Sequence, residues 1–124
     1  MRAQFDNQMP LVTREGNLLL LCFGEKQVDG ETTKYSYEAI RVPFPPKYGE
    51  VVSCIISDHY TADQMQAIVN NHLMDSESDE HKAEFEAMQS WRMKAKEIAR
   101  EVLSLMQYGE PLNPSNKSDG DTAE

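Results

Sequence analysis

The first third of the chain contains two stretches whose residue pattern is typical of β-strands. The first is a continuous apolar run, Leu18 to Phe23, and the second is the sequence YSYEAIRV, from Tyr35 to Val42. Asp29-Gly30 lies between them and indicates a β-hairpin, because a type I′ turn needs positive φ at both central residues. A two-residue turn at this position would place Val28 opposite Glu31, Cys22 opposite Tyr37 and Leu19 opposite Ile40.

Turn and proline residues set the limits of this β-ribbon. Glu15-Gly16-Asn17 is a candidate for an earlier turn, which would add an edge strand around residues 10–13. Pro43-Phe44-Pro45-Pro46 must end the second strand, because proline removes ladder donors and forces extended geometry. A lone hairpin is marginal in water, so the ribbon must pack on apolar residues or gain strands from a partner. We therefore expect an N-terminal β-hairpin or three-stranded meander, followed by a rigid connector.

Helical spacing replaces the β pattern after the prolines. Glu50 to Tyr60 has apolar residues on one helical face, although its β-branched pairs leave a strand open. Thr61-Ala62-Asp63-Gln64 matches a capping box, in which Thr61 accepts from the Gln64 N–H and the Gln64 side chain reaches back. Helical spacing then continues and predicts a short helix that ends near Leu73, through Met65, Ile68, Val69 and His72.

A long helix is predicted from about Asp79 to Met106, a segment without glycine or proline. Its acids crowd the first turns and its bases dominate the second half, which suits the helix dipole. Residues 108–124 contain almost no apolar residues, which predicts a disordered acidic tail. The whole pattern predicts one α+β domain over residues 1–107, with three helices after the β-ribbon, and the tail over residues 108–124.

The helical part resembles small uncharacterised proteins from phage and prophage regions of Bacteroides-type gut bacteria. The resemblance covers about Tyr48 to Val102 and consists of four short motifs, namely Tyr48-Gly49, Tyr60-Thr61-Ala62-Asp63, Ala67-Ile68-Val69-Asn70-Asn71 and Trp91-Arg92-Met93-Lys94-Ala95-Lys96. It implies a mobile-element setting, with virion or tail genes as candidate neighbours, and it favours a helix over residues 50–60. It supplies no catalytic residues.

Charge and hydropathy exclude several classes of protein. The 124 residues carry a formal net charge of −9, so a generic phosphate-binding surface is not expected. The two predicted helices between Glu50 and Leu73 could form a helix–turn–helix, but the second of them, DQMQAIVNNHL, has no Lys or Arg. Direct nucleic-acid binding is therefore not expected. No apolar run approaches the roughly 18–20 residues of a membrane span, and the N-terminus lacks the features of a secretory signal. We expect a protein of the bacterial cytosol, with virion association left open.

Few residues are candidates for catalysis or for metal binding. Cys22 and Cys54 both lie in apolar runs, so two buried, reduced thiols are expected. The histidines are His59, His72 and His81, and no pair has the four-residue spacing that places two imidazoles on one helical face. No metal site and no cofactor is therefore predicted. A nucleophilic pair is not expected either, because a five-residue offset turns Cys54 away from His59 on a helix.

Association with another protein is the remaining class. The long helix would measure about 40 Å, more than two short helices and a hairpin cover easily, so part of its apolar stripe should need a partner or a second copy. The anchor candidates are its large apolar side chains, Phe85, Met88, Trp91, Val102, Leu105 and Met106. We expect a non-enzymatic association protein of a phage or prophage-like element, virion-related or an assembly factor. Two alternatives stay open: an acidic binding module that inhibits a host protein, and a small enzyme that uses Cys54 or a histidine.

Overall fold

A computed structural model describes residues 1–106 and shows an α+β fold, as predicted. A four-stranded antiparallel sheet with the order β1-β4-β3-β2 is followed by three helices. The elements are β1 (Arg2–Phe5), β2 (Val12–Glu15), β3 (Leu18–Val28), β4 (Lys34–Pro43), α1 (Tyr48–His59), α2 (Ala62–Met74) and α3 (Asp79–Met106). The predicted division between residues 1–107 and a tail over residues 108–124 falls outside the described residues.

The central hairpin is present, but its predicted register is wrong. Leu19 pairs with Val42 and Cys22 with Ala39, so each partner lies two residues further along β4 than expected. The turn is a loop of residues 29–33 rather than the two residues Asp29-Gly30, and β3 contains a bulge after Phe23. Gly24 has φ +67° there, a conformation that glycine adopts without steric cost. A shift of two residues leaves each side chain on its expected face of the sheet.

Two edge strands extend the hairpin to four strands. The predicted turn before β3 is present, with Gly16 at φ +65°, and it joins β2 to β3. The second edge strand, β1, pairs with β4 and was not predicted: its residues RAQF alternate between polar and apolar, but four residues are too short a run to indicate a strand. The ribbon therefore packs on apolar residues, as one of the two expected alternatives requires, and its additional strands come from the chain itself.

The three helices follow the predicted pattern closely. Residues 48–59 are helical rather than extended, and Val51 and Ile55, four residues apart, are buried on one face. The capping box is present, because Thr61 Oγ1 accepts from the Gln64 N–H at 3.0 Å and Gln64 Oε1 accepts from the Thr61 N–H at 2.7 Å. α3 has the predicted bounds, and the Ser78 hydroxyl accepts from the His81 N–H at its first turn.

The sheet buries side chains on both faces. Alternate residues of β3 and β4 form the main core with α1 and the second half of α3, through Leu19, Leu21, Phe23, Ile40, Val42, Val51, Ile55, Ala95, Ile98, Ala99 and Val102. A smaller cluster covers the opposite face, where Leu20, Cys22 and Tyr37 are buried and Phe5 and Met9 pack against them. The Tyr37 hydroxyl accepts from the Met9 N–H at 2.9 Å and donates to Glu25 at 2.5 Å.

Burial divides the described chain into two regions. We call the four strands, α1 and residues 88–106 of α3 the body, because the main core lies there. We call α2 and residues 79–87 of α3 the arm. Among the described residues, neither α2 nor residues 79–87 of α3 contains a buried residue. In the body, by contrast, α1 and the remainder of α3 both contain buried residues. One continuous helix, α3, belongs to both regions.

Candidate functional site

The six anchor candidates of α3 lie in very different surroundings. Met88 and Val102 are fully buried, so they support the core and are not available to a partner in this fold. Met106 packs against the edge of the main core, whereas Leu105 is 61% exposed. Phe85 is half-buried in the arm, where its ring stacks on His72 with the centroids 4.4 Å apart. The stripe is therefore not one continuous contact surface.

Trp91, the sixth candidate, joins α3 to α1. Its indole Nε1–H donates to the Ile55 carbonyl at 2.9 Å, which fixes the ring against the end of α1. The His59 ring lies parallel to the indole, with an interplanar angle of 1° and centroids 3.6 Å apart. Phe23 of β3 approaches the same indole at 5.9 Å. Stacking of this kind fixes the position of the His59 imidazole as well as that of the tryptophan.

His59 points from this stack toward two carboxylates, and we call these three side chains the Glu38 cluster: Glu38 of β4 with Asp58 and His59 of α1. The His59 Nε2 atom lies 3.2 Å from Glu38 Oε1 and 3.7 Å from Asp58 Oδ2. The side chains of Glu38, Asp58 and His59 are 13%, 20% and 33% exposed. As whole residues, Glu38 is half-buried whereas Asp58 and His59 are exposed, so the cluster lies at the surface of the fold. Their ligating atoms all lie within 4.8 Å of one another.

Positive groups surround the Glu38 cluster. The α-amino group of Met1 contacts Asp58 Oδ2 and lies 3.4 Å from Glu38 Oε1. The guanidinium of Arg2 lies 3.5 Å from the other oxygen of Glu38, and it is held by hydrogen bonds to Ser36 and Gly24. Burial alone would raise the pKa of the Glu38 carboxyl, but the hydrogen bond and charge of His59, with the amino group, hold that pKa below its ordinary value of 4.5.

Neither cysteine is arranged as a nucleophile. Burial raises the pKa of both thiols, and the nearby carboxylates of Glu15 and Glu50 raise those of Cys22 and Cys54 further. A thiol with a raised pKa stays protonated and unreactive at neutral pH. Both cysteines are free, and they lie on opposite faces of the sheet, Cys22 in the smaller cluster and Cys54 against the main core.

The arm presents a different kind of surface. At the end of α2, Leu73 and Met74 are 73% and 87% exposed, although both are large and apolar. An open groove of about 310 Å³ lies between α2, the end of α1 and α3, and its lining includes His59, Ile68 and Glu84. The Nδ1 atom of His72 is buried without a hydrogen-bond partner in the described chain. The arm therefore combines exposed apolar side chains with incompletely satisfied polar groups.

The basic half of α3 is engaged only in part. Arg92 donates to Gln89 at 3.1 Å, Lys94 lies 3.9 Å from Glu97, and the Arg100 guanidinium lies 6.0 Å from the centre of the Tyr48 ring. Isolated contacts of this kind on a surface contribute little to stability. They give no arrangement that resembles a phosphate site.

Comparison with known proteins gives no family to which this chain can be assigned. No family model, no curated protein and no solved structure matches the sequence or the fold. Over residues 1–106, none of the helices is long and apolar enough to cross a membrane. The site must therefore be interpreted from its own residues.

The Glu38 cluster could not be found by sequence spacing. Asp58 and His59 are adjacent, but Glu38 comes from a strand twenty residues earlier, and no local motif links a strand residue to the end of a helix. The register of β4 and the packing of α1 on the sheet bring the three side chains together. Of the candidate residues predicted from the sequence, the structure connects only His59 and Trp91 to this cluster.

Proposed function

We propose that this protein is a non-enzymatic association protein of a phage or prophage-like element, virion-related or an assembly factor, and that it binds its partner protein through the arm. The observation that carries this proposal is the exposure of Leu73 and Met74 at the end of an arm without buried residues in the described chain. Exposed apolar residues that adjoin one another are typical of contact surfaces.

The stability of the arm supports this proposal. Helices shorter than about 12–15 residues are marginal in water, and most helical stability in proteins comes from packing of an apolar face. α2 has 13 residues, is capped by Thr61, and rests on α3 through half-buried side chains such as Ile68 and Val69. A partner that covered Leu73 and Met74 would supply the packing that the chain itself does not provide.

The charge of the arm indicates what kind of partner it binds. Residues 62–87 contain seven acids and a single basic residue, Lys82, apart from histidines. Two copies of this surface would repel each other, whereas a partner with an apolar pocket bordered by Lys and Arg would be attracted. We therefore favour a different protein over a second copy. If that partner is a host protein, the proposed function becomes the first alternative from the sequence analysis, an acidic binding module that inhibits a host protein.

The phage setting comes from the resemblance over residues 48–102. Its motifs include residues with defined places in the fold, because Thr61 caps α2 and Trp91 bonds to α1. They account for how the helices are joined, and they contribute no catalytic group. Together with the raised pKa of Cys54, this favours association over catalysis.

The proposal is tested by comparing three baits in a capture experiment from cells that carry the element. The double variant Leu73→Ser/Met74→Ser removes the exposed apolar pair, and Met93→Ser removes another exposed side chain, 64% accessible, from the body region of α3 as a matched control. We expect one partner to be retained by the unmodified protein and by the control, and to be lost with the double variant. Retention of the same proteins by all three baits would contradict the proposal.

Light scattering after size-exclusion chromatography supplies the second test. If the partner is another protein, the purified chain stays monomeric over a wide concentration range, and the captured complex weakens as salt screens the acidic arm. If the unmodified chain forms a stable homo-oligomer and the double variant is monomeric, the arm binds a second copy instead.

A further inference from the structure

We propose that the Glu38 cluster is a binding site for a divalent transition-metal ion, with Zn²⁺ as the best fit. The site lies in the body and does not depend on the function proposed for the arm. Its donors are one imidazole nitrogen and two carboxylate oxygens, from His59, Glu38 and Asp58. Imidazole favours Zn²⁺ over Mg²⁺ and Ca²⁺, and carboxylates accompany it in many zinc sites.

The distances between the donor atoms fit a metal ion. Bonds of about 2.0–2.1 Å to Zn²⁺ place neighbouring donors about 3.3 Å apart in a tetrahedral site. His59 Nε2 lies 3.2 Å from Glu38 Oε1 and 3.7 Å from Asp58 Oδ2, and both distances are close to this spacing. At least one further coordination position remains for water.

Other residues orient the donors, as second-layer residues do in metal sites. Arg2 contacts Glu38 Oε2 and so leaves Oε1 directed toward His59. Trp91 stacks on the His59 ring and is itself bonded to the Ile55 carbonyl. The donors are therefore held by β1, β4, α1 and α3, and a bound ion would join β4 to the end of α1.

The charge of the cluster supports a cation at this position. The ligating oxygens of the Glu38 and Asp58 carboxylates lie within 4.8 Å of each other, and their like charges repel unless a positive charge lies between them. The α-amino group of Met1 provides that charge in the structure, through contacts with both carboxylates. A divalent ion would carry twice this charge and would replace the ammonium group. Because the ion also requires neutral imidazole, its affinity should rise with pH.

The test is a titration of chelator-treated full-length protein with ZnCl₂, followed by calorimetry and by the fluorescence of Trp91, the single tryptophan in the sequence. We expect one ion per chain, a change in Trp91 fluorescence at the same equivalence point, and a higher Tm with zinc. Co²⁺ should give the visible absorption bands of a tetrahedral site. Glu38→Gln, Asp58→Asn and His59→Gln should each weaken zinc binding about tenfold or more.

Matched controls come from the arm. His81 and Glu84 form a second imidazole–carboxylate pair, at 3.4 Å, and among the described residues no third possible metal ligand lies beside this pair. His81→Gln and Glu84→Gln should therefore leave zinc affinity unchanged, and circular dichroism confirms that all five variants are folded. Absence of stoichiometric binding, or binding that only the arm variants weaken, would overturn the proposal. Equal affinity for Mg²⁺ and Zn²⁺ would also overturn it, since it would indicate binding by carboxylates alone.

Discussion

Body and arm share one helix, yet they differ in how they are stabilised. In the body, α3 lies against a sheet and α1, and residues such as Ala95 and Ala99 are fully buried. In the arm the same helix lies beside α2, where Phe85 is half-buried and stacks on His72. The comparison teaches that the two parts of α3 have different roles. Residues 88–106 stabilise the fold by packing in the core, whereas residues 79–87 leave most of their side chains accessible to a partner.

The largest difference between body and arm is expected when one leucine in each region is truncated to alanine. Leu21 in the body is fully buried, whereas Leu73 in the arm is 73% exposed. Leu21→Ala should lower the free energy of unfolding by about 2–5 kcal/mol, because it leaves a cavity in the core. Leu73→Ala should change it by no more than about 0.5 kcal/mol. Urea unfolding followed by circular dichroism measures both, and equal effects would abolish the distinction between body and arm.

The capping box gives a test of intermediate size that is confined to the arm. Thr61→Ala removes the side-chain acceptor for the Gln64 N–H and should destabilise α2 by about 0.5–2 kcal/mol. Hydrogen exchange followed by mass spectrometry should show faster exchange in α2 while β3 and β4 keep their protection, because the arm opens separately from the core. Thr61→Ser keeps the hydroxyl and is the control. Faster exchange throughout the sheet would show that the two regions unfold together.

Acid should affect the body through Glu38, and this is the smallest expected effect. The folded-state pKa of Glu38 lies below 4.5, so its carboxylate contributes stability above that pH, and this contribution is lost as the pH falls through the folded-state value. In metal-free protein, Glu38→Gln should therefore show a shallower loss of Tm below pH 4.5 than the unmodified chain. Parallel curves for the two proteins would contradict the assigned electrostatics.

Most of the helical half can be predicted from the sequence, because its signals are local. The capping box at Thr61 fixes where α2 begins, and the absence of glycine and proline between Asp79 and Met106 fixes the extent of α3. The hairpin register was predicted incorrectly, because Asp29-Gly30 matches a tight turn that the chain does not use. The bulge at Gly24 and the five-residue loop depend on contacts that no short segment encodes.

The candidate site was less predictable than the fold. No partner for His59 was predicted from the sequence, and the structure shows its hydrogen bond to Glu38. The partner could not be identified beforehand, since it depends on the register of β4 and on how α1 packs. Trp91 was assigned to a contact surface because aromatic residues favour interfaces, but its indole is used within the chain, on Ile55 and His59.

The continuity of α3 has a mechanical consequence. About 13 Å of this helix, residues 79–87, extends beyond the buried segment, with the exposed end of α2 beside its first turn. Sharp bends in helices occur mainly at proline, glycine or bulges, and this segment has neither glycine nor proline. We therefore expect residues 79–87 to move as one rigid piece with the rest of α3, and not as a segment hinged at the boundary between arm and body.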